Sequence, residues 1–215
     1  MRGTARLLVA TSLAFGLSYP LLWDHLPAPA MTIAVKGAGV GLLALAAAVR
    51  ARGADGWLLA SLLALGGLGD VLLEISLAAG AAAFAAGHAT AILLYRRNRR
   101  AEADQKDWAI AALILLAAAA VPGFLLQGRP EAWPFTFYAL LLGAMAASAW
   151  LSRFRRGLVA AGAILFLASD MLIAARMASG AGGLGPLIWL LYYCGQFLIF
   201  VGVTSSLSGD GEVYS

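Results

Sequence analysis

Asp70 and Asp170 stand in closely similar apolar settings, LGGLGDVLLE over residues 65–74 and LFLASDMLIA over residues 165–174. Each setting is long enough to belong to a membrane-crossing helix. A carboxylate at the centre of such a helix costs about 2.5–3.5 kcal/mol to insert, so it normally faces a polar interior and marks a functional site. Two acids with only Lys36 among the other spans leave a buried net negative charge, which is relieved by keeping one carboxyl protonated. A neutral acid beside an ionised one is a proton donor beside an anion, the arrangement acid-catalysed hydrolysis requires. The competing reading is structural: Lys36 neutralises the aspartates and the ion pair fixes helix register.

The remaining polar residues within apolar stretches are few. They are Lys36 in the second stretch, Glu74 beside Asp70 in the third, His88 in the fourth, Ser169 beside Asp170 in the seventh, and Tyr192, Tyr193 and Gln196 in the eighth. At a rise of about 1.5 Å per residue, Lys36, Asp70 and Asp170 fall within about 12 Å of the non-cytoplasmic ends of their helices, so they could meet in one pocket. Glu74 lies one helical turn beyond Asp70 on the same face, as a site residue or as a solvated helix end. Lys36 could snorkel to the interface, although its depth and the adjoining Gly37 favour a place inside the bundle. His88 reads either as a hydrogen-bonded packing residue or as part of the site.

Metal and nucleophile chemistry find less support. The chain holds two histidines and one cysteine, Cys194; His25 falls in an outer loop, so neither a His-rich zinc site nor an internal disulfide can be assembled. Two aspartates are a thin ligand set for Mg²⁺ or Ca²⁺, and no metal ligands are assigned. A Gly-x-Ser-x-Gly elbow, a Walker loop and a dinucleotide fingerprint set between a strand and a helix are all missing, and Ser169 has no histidine nearby in sequence to activate it.

What must position these residues is a membrane-embedded helical bundle. The 215 residues are 62% hydrophobic and 12% charged, about half the charge of a soluble domain. A spanning helix needs about 20 largely apolar residues, and eight such stretches are legible: 6–23, 28–49, 56–74, 75–95, 107–126, 131–151, 157–177 and 184–207. The chain is therefore expected to be an all-α polytopic membrane protein, a single transmembrane domain over residues 1–207 with a short polar tail at 208–215.

Twelve of the fifteen basic residues lie at the N-terminus or after even-numbered stretches: Arg2, Arg6, Arg50, Arg52, Arg96, Arg97, Arg99, Arg100, Lys106, Arg153, Arg155 and Arg156. By the positive-inside rule those loops are cytoplasmic, and both termini are expected inside, in a cell membrane of bacterial inner-membrane type. No basic patch interleaved with aromatics suggests nucleic acid. Residues 1–30 imitate a signal peptide, with a basic start, an apolar run and Ala28-Pro29-Ala30. Cleavage would leave seven spans and reverse the charge parity, so the first stretch is expected to be retained.

The longest boundary, residues 96–107, divides the chain into halves 1–100 and 101–207 that superpose at an offset of about one hundred residues. A 4+4 parallel repeat would account for this; so would the compositional likeness of alanine-rich helices. Small residues at packing spacing, such as Gly37 with Gly41, are expected to serve close helix approach.

In their order along the chain these residues resemble the YhhN family of integral membrane lysoplasmalogenases. The likeness is carried by Gly69-Asp70-Val71-Leu72-Leu73, Gly80, Phe84 and His88, then Gly162, Phe166, Ser169-Asp170 and Ala174, and finally Tyr192-Tyr193 with Gln196. It covers nearly the whole chain, Lys36 included. The chain departs from the family pattern in following Lys36 with glycine rather than proline, and in placing an aromatic residue after His88 only at Tyr95. The resemblance implies hydrolysis of the vinyl ether bond of a lysoplasmalogen by the two aspartates, with no cofactor. It further implies that Lys36, Glu74, His88, Ser169, Tyr192, Tyr193 and Gln196 contact the lysophospholipid or orient water.

A proton-coupled transporter is the leading alternative, because intramembrane acids also suit a relay. A seven-helix zinc protein and a purely structural assembly protein come behind it. Headgroup, chain length, oligomeric state and the division of roles between the aspartates are left open by the sequence.

Overall fold

In the computed structural model, which describes residues 2–23 and 25–209, the chain folds as eight α-helices: α1 (Arg2–Leu22), α2 (Pro29–Arg50), α3 (Gly53–Leu73), α4 (Leu77–Arg97), α5 (Gln105–Leu125), α6 (Ala132–Trp150), α7 (Val159–Ser179) and α8 (Gly185–Gly209). All eight are long and apolar enough to cross a membrane. The chain is thus an all-helical integral membrane protein, and the eight stretches read from the sequence coincide with its helices to within a few residues. The helix form follows from the solvent, since within hydrocarbon each backbone N–H and C=O must find its partner inside the segment. Large apolar side chains stay exposed along the spans, among them Leu7, Leu21, Leu113, Leu116 and Phe137, as lipid-facing positions do. Among the described residues no strand forms, only an isolated bridge between Arg99 and Ser152. Of the polar tail expected at 208–215, the first two residues close α8; those from 210 onward lie outside the described residues.

Two compact units can be described separately. One contains the chain up to Leu94 together with the residues from Phe200; the other runs from Tyr95 to Ile199.

In the first unit α1 packs on α2 and α2 on α3. Hydrocarbon offers no hydrophobic drive between helices, so association depends on close packing at small residues. A Cβ on Gly67 would lie 3.0 Å from the Gly41 nitrogen, and one on Gly37 would lie 2.6 Å from Val71 Cγ2. This seam, with the Ser12 hydroxyl donating to the Gly39 carbonyl at 2.5 Å, sets the register of α2. The turn from α3 to α4 is equally tight: Gly80 has no room for a Cβ beside the Leu73 backbone nitrogen, 2.7 Å away.

In the second unit α5, α6 and α7 pack on one another. α7 meets α8 at two glycines, where a Cβ on either Gly162 or Gly195 would lie 2.6 Å from the other's carbonyl oxygen. α7 stops at Gly180, whose φ of 68° is left-handed and whose N–H closes on the Arg176 carbonyl. Satisfying the carbonyls of a helix end in this conformation favours glycine.

The basic loops of this unit are stapled rather than loose. Arg100 N–H donates to the Leu151 carbonyl at 3.0 Å, Arg153 N–H to the Asn98 carbonyl at 2.7 Å, and Arg153 Nε to Asn98 Oδ1 at 2.8 Å. Asp104 caps α5 by accepting from the Asp107 N–H at 2.8 Å. Asp107, buried, pairs with both Arg100 and Arg156. One carboxylate therefore ties two loops that the sequence showed only as positively charged.

Candidate functional site

The polar residues singled out above fall into one group in each unit. In the first, Asp70 is buried, 2% exposed, three residues before the last residue of α3. Its neighbour Gly69 is pressed by the Phe84 ring, which would lie 2.8 Å from an added Cβ. Phe84 and His88 share a face of α4 by their four-residue spacing, and His88 is buried as well. The absence of a side chain at Gly87 lets α4 approach α3 beside Leu62 and Leu65. The same packing that leaves no side chain at Gly69 thus brings the His88 face of α4 against the stretch of α3 that leads to Asp70.

Lys36 is half-buried on α2, and its ammonium meets the Glu74 carboxylate at 2.5 Å. The partner is Glu74 rather than an aspartate, and helix register explains the choice. With Gly37 seated on Val71 and Gly67 on Gly41, the long side chain of Lys36 reaches the end of α3, where Glu74 forms its C-cap. The ion pair is half in contact with solvent, the Glu74 side chain being 37% exposed. Such a pair contributes little to stability, about 0–1 kcal/mol, so positioning the ammonium is its larger effect.

In the second unit Asp170 lies near the middle of α7, buried. Two hydroxyls attend it. Ser169 Oγ stands 3.1 Å from Asp170 Oδ1 and 2.7 Å from the Phe166 carbonyl oxygen, and the Tyr138 hydroxyl, from α6, hydrogen-bonds the Asp170 carboxyl. Tyr138 was missed in the sequence. It sits in an apolar stretch beside Phe135 and Phe137, and an aromatic residue there reads as packing; only the phenol oxygen could have signalled otherwise, because a buried O–H normally finds a partner.

Tyr192 and Tyr193 are buried on α8, with Tyr192 edge-on to Phe166 at 4.9 Å and Tyr193 stacked on Trp189 at 6.3 Å. Gln196 is also buried. It adjoins Gly195 and so lies level with Gly162, about 12 Å along α7 from Asp170 by helix rise. Contacts of Tyr192 with Phe166 place that tyrosine nearer the Asp170 end of the helix. Among the described residues no three His, Cys, Asp or Glu side chains cluster as metal ligands do.

What these groups offer is Brønsted chemistry: buried carboxyls, one of them attended by hydroxyl donors, and an ammonium held beside a carboxylate. Against known families, the model of the YhhN family matches residues 31–203, a span containing every candidate residue named above. No curated protein and no solved structure matches the chain.

Proposed function

The chain belongs to the YhhN family, and we propose that it hydrolyses the vinyl ether bond of lysoplasmalogens, releasing a fatty aldehyde and a glycerophospho-ethanolamine or -choline headgroup. The observation that carries this reading is the burial of Asp70 and Asp170, 2% and 6% exposed, within membrane-spanning helices.

The chemistry follows from the substrate. A vinyl ether accepts a proton at its β-carbon, and the electron pair of the double bond forms the new C–H bond. The resulting oxocarbenium ion captures water, losing a proton to give a hemiacetal. The hemiacetal then collapses to aldehyde and alcohol, its C–O bond breaking as the glycerol oxygen is protonated. One acid and one anion suffice, as in glycosidases, whose transition states are also oxocarbenium-like.

Of Asp70 and Asp170, one donates the proton and the other stabilises the cation and takes a proton from water. The Lys36–Glu74 pair presents an ammonium to the substrate phosphate, and His88, Tyr192 and Tyr193 orient water or the headgroup, whereas Gln196, level with Gly162, lies too far along α7 from Asp170 to share that role. The alkyl chain remains in the hydrocarbon layer with the headgroup at the outer interface. The charge bias of the loops supports cytoplasmic termini in a bacterial inner membrane.

Substrate selectivity tests the reading. Purified protein in detergent is given three lysophospholipids that share headgroup and chain length and differ only in a vinyl ether, a saturated alkyl ether or an ester at the first glycerol carbon. Turnover of the vinyl ether alone is expected, since the saturated ether has no double bond to protonate. Comparable turnover of the ester would move the protein to another class of hydrolase.

A further inference from the structure

Resting on the vinyl ether reading, we propose that Tyr138 is the positioning residue for Asp170, acting with Ser169 as a pair of hydroxyls that serves this carboxyl in both of its protonation states. A hydroxyl donates once, and Ser169 Oγ lies within reach of two acceptors, the Phe166 carbonyl at 2.7 Å and Asp170 Oδ1 at 3.1 Å.

When Asp170 is ionised, Ser169 turns its hydrogen to the carboxylate, and Tyr138 donates to the same group. When Asp170 is neutral, its own proton goes to Ser169 Oγ, and the serine hydrogen turns to the Phe166 carbonyl. Tyr138 then donates to the remaining carboxyl oxygen. No heavy atom moves between the two states; one O–H bond rotates.

This matters because a group that transfers a proton passes through both states in each turnover, and leaving a buried polar group unsatisfied in either is costly. A surrounding that suited only the anion, or only the acid, would add that cost to one half of the cycle. Tyr138 comes from α6 and Ser169 from α7, so the carboxyl is fixed from two helices and cannot swing about its own Cα–Cβ bond without losing a partner. Aromatic packing keeps the tyrosine ring in place, its neighbour Phe135 lying at 6.3 Å.

The test compares wild type, Tyr138→Phe, Ser169→Ala and Asp170→Asn as full-length protein in detergent. Two quantities are read: steady-state aldehyde release from a vinyl ether lysophospholipid across pH, and the infrared C=O stretch of the protonated Asp170 carboxyl, identified by its loss in Asp170→Asn. Losing a donor to the anion makes the anion less favourable, so one limb of the kcat profile and the infrared titration should both move to higher pH in Tyr138→Phe, by about one pH unit. We expect kcat at neutral pH to fall about 10–100-fold with KM within about twofold, a pattern that marks loss in the transition state rather than in binding.

Ser169→Ala should move both readouts in the same direction, which keeps the proposal open to refutation if Tyr138→Phe fails to fold. Unchanged profiles and an unmoved infrared band in the folded variants would overturn it. A wild type that turns over no vinyl ether, yet shows the infrared movement in Tyr138→Phe, would overturn the substrate assignment while supporting the Tyr138–Asp170 coupling.

Discussion

Asp70→Asn and Asp170→Asn are each expected to give folded protein that releases aldehyde at least about a thousandfold more slowly than wild type. The magnitude combines two losses. General acid or base catalysis contributes about 10²–10⁴-fold, and removal of a preorganised group facing developing charge costs about 10²–10³-fold. Asparagine matches aspartate in shape but neither gives up nor takes a proton in the working range, and it carries no charge against an oxocarbenium ion.

Folding should survive, because an amide is less costly than a carboxylate within a membrane span. A symmetrical peak in gel filtration and an unchanged helical spectrum would check this. The double variant adds a sharper criterion. Groups that act on one reacting centre are strongly non-additive, so it should be no slower than the worse single variant; a product of the two losses would mean that the acids act in separate processes.

Gly162→Leu is expected to abolish the folded state or lower the midpoint of thermal unfolding by more than about 10 °C. Even the first atom of the new side chain would lie 2.6 Å from the Gly195 carbonyl oxygen and 3.1 Å from the Ile199 nitrogen. Both are backbone atoms of α8, so relief requires the helices to part. Forcing extra volume into a close-packed contact costs about 1–3 kcal/mol and can cost more, and here three further carbons follow the first. Parting the helices would also disturb the Phe166–Tyr192 edge contact one turn away, so even a surviving fraction should be impaired. Gly157→Leu is the control: a Cβ there meets nothing within 4 Å, and its unfolding midpoint should stay within about 2 °C of wild type. Size-exclusion chromatography after heating measures both.

The helices were legible because their solvent enforces them: a long apolar run must become a helix, and few other patterns fit. Asp70 and Asp170 were legible for the same reason, as carboxylates are conspicuous in apolar surroundings. The glycines expected to mediate helix approach do so at Gly37, Gly67, Gly69, Gly80, Gly87 and Gly162.

Pairings were another matter. Charge counting offered Lys36 three acids, and the competing structural reading paired it with the aspartates, whereas the seating of Gly37 on Val71 delivers its ammonium to Glu74. That choice turns on register, and register depends on contacts a few ångströms across that no periodicity in α2 or α3 encodes. Tyr138 was hidden by its own type, an aromatic among aromatics. The loop staple of Asn98 and Asp107 was hidden by the arginines around it, because a basic loop in a membrane protein has a sufficient explanation in topology.

A vinyl ether opened by protonation at carbon leaves an isotopic record of that step in its products. Purified protein in detergent is supplied with a lysoplasmalogen in D₂O, and the products are weighed by mass spectrometry. We expect a fatty aldehyde carrying one deuterium on the carbon next to the carbonyl, released in equal amount with an intact glycerophospho-headgroup. No aldehyde, or an aldehyde formed without deuterium at that carbon, would contradict it.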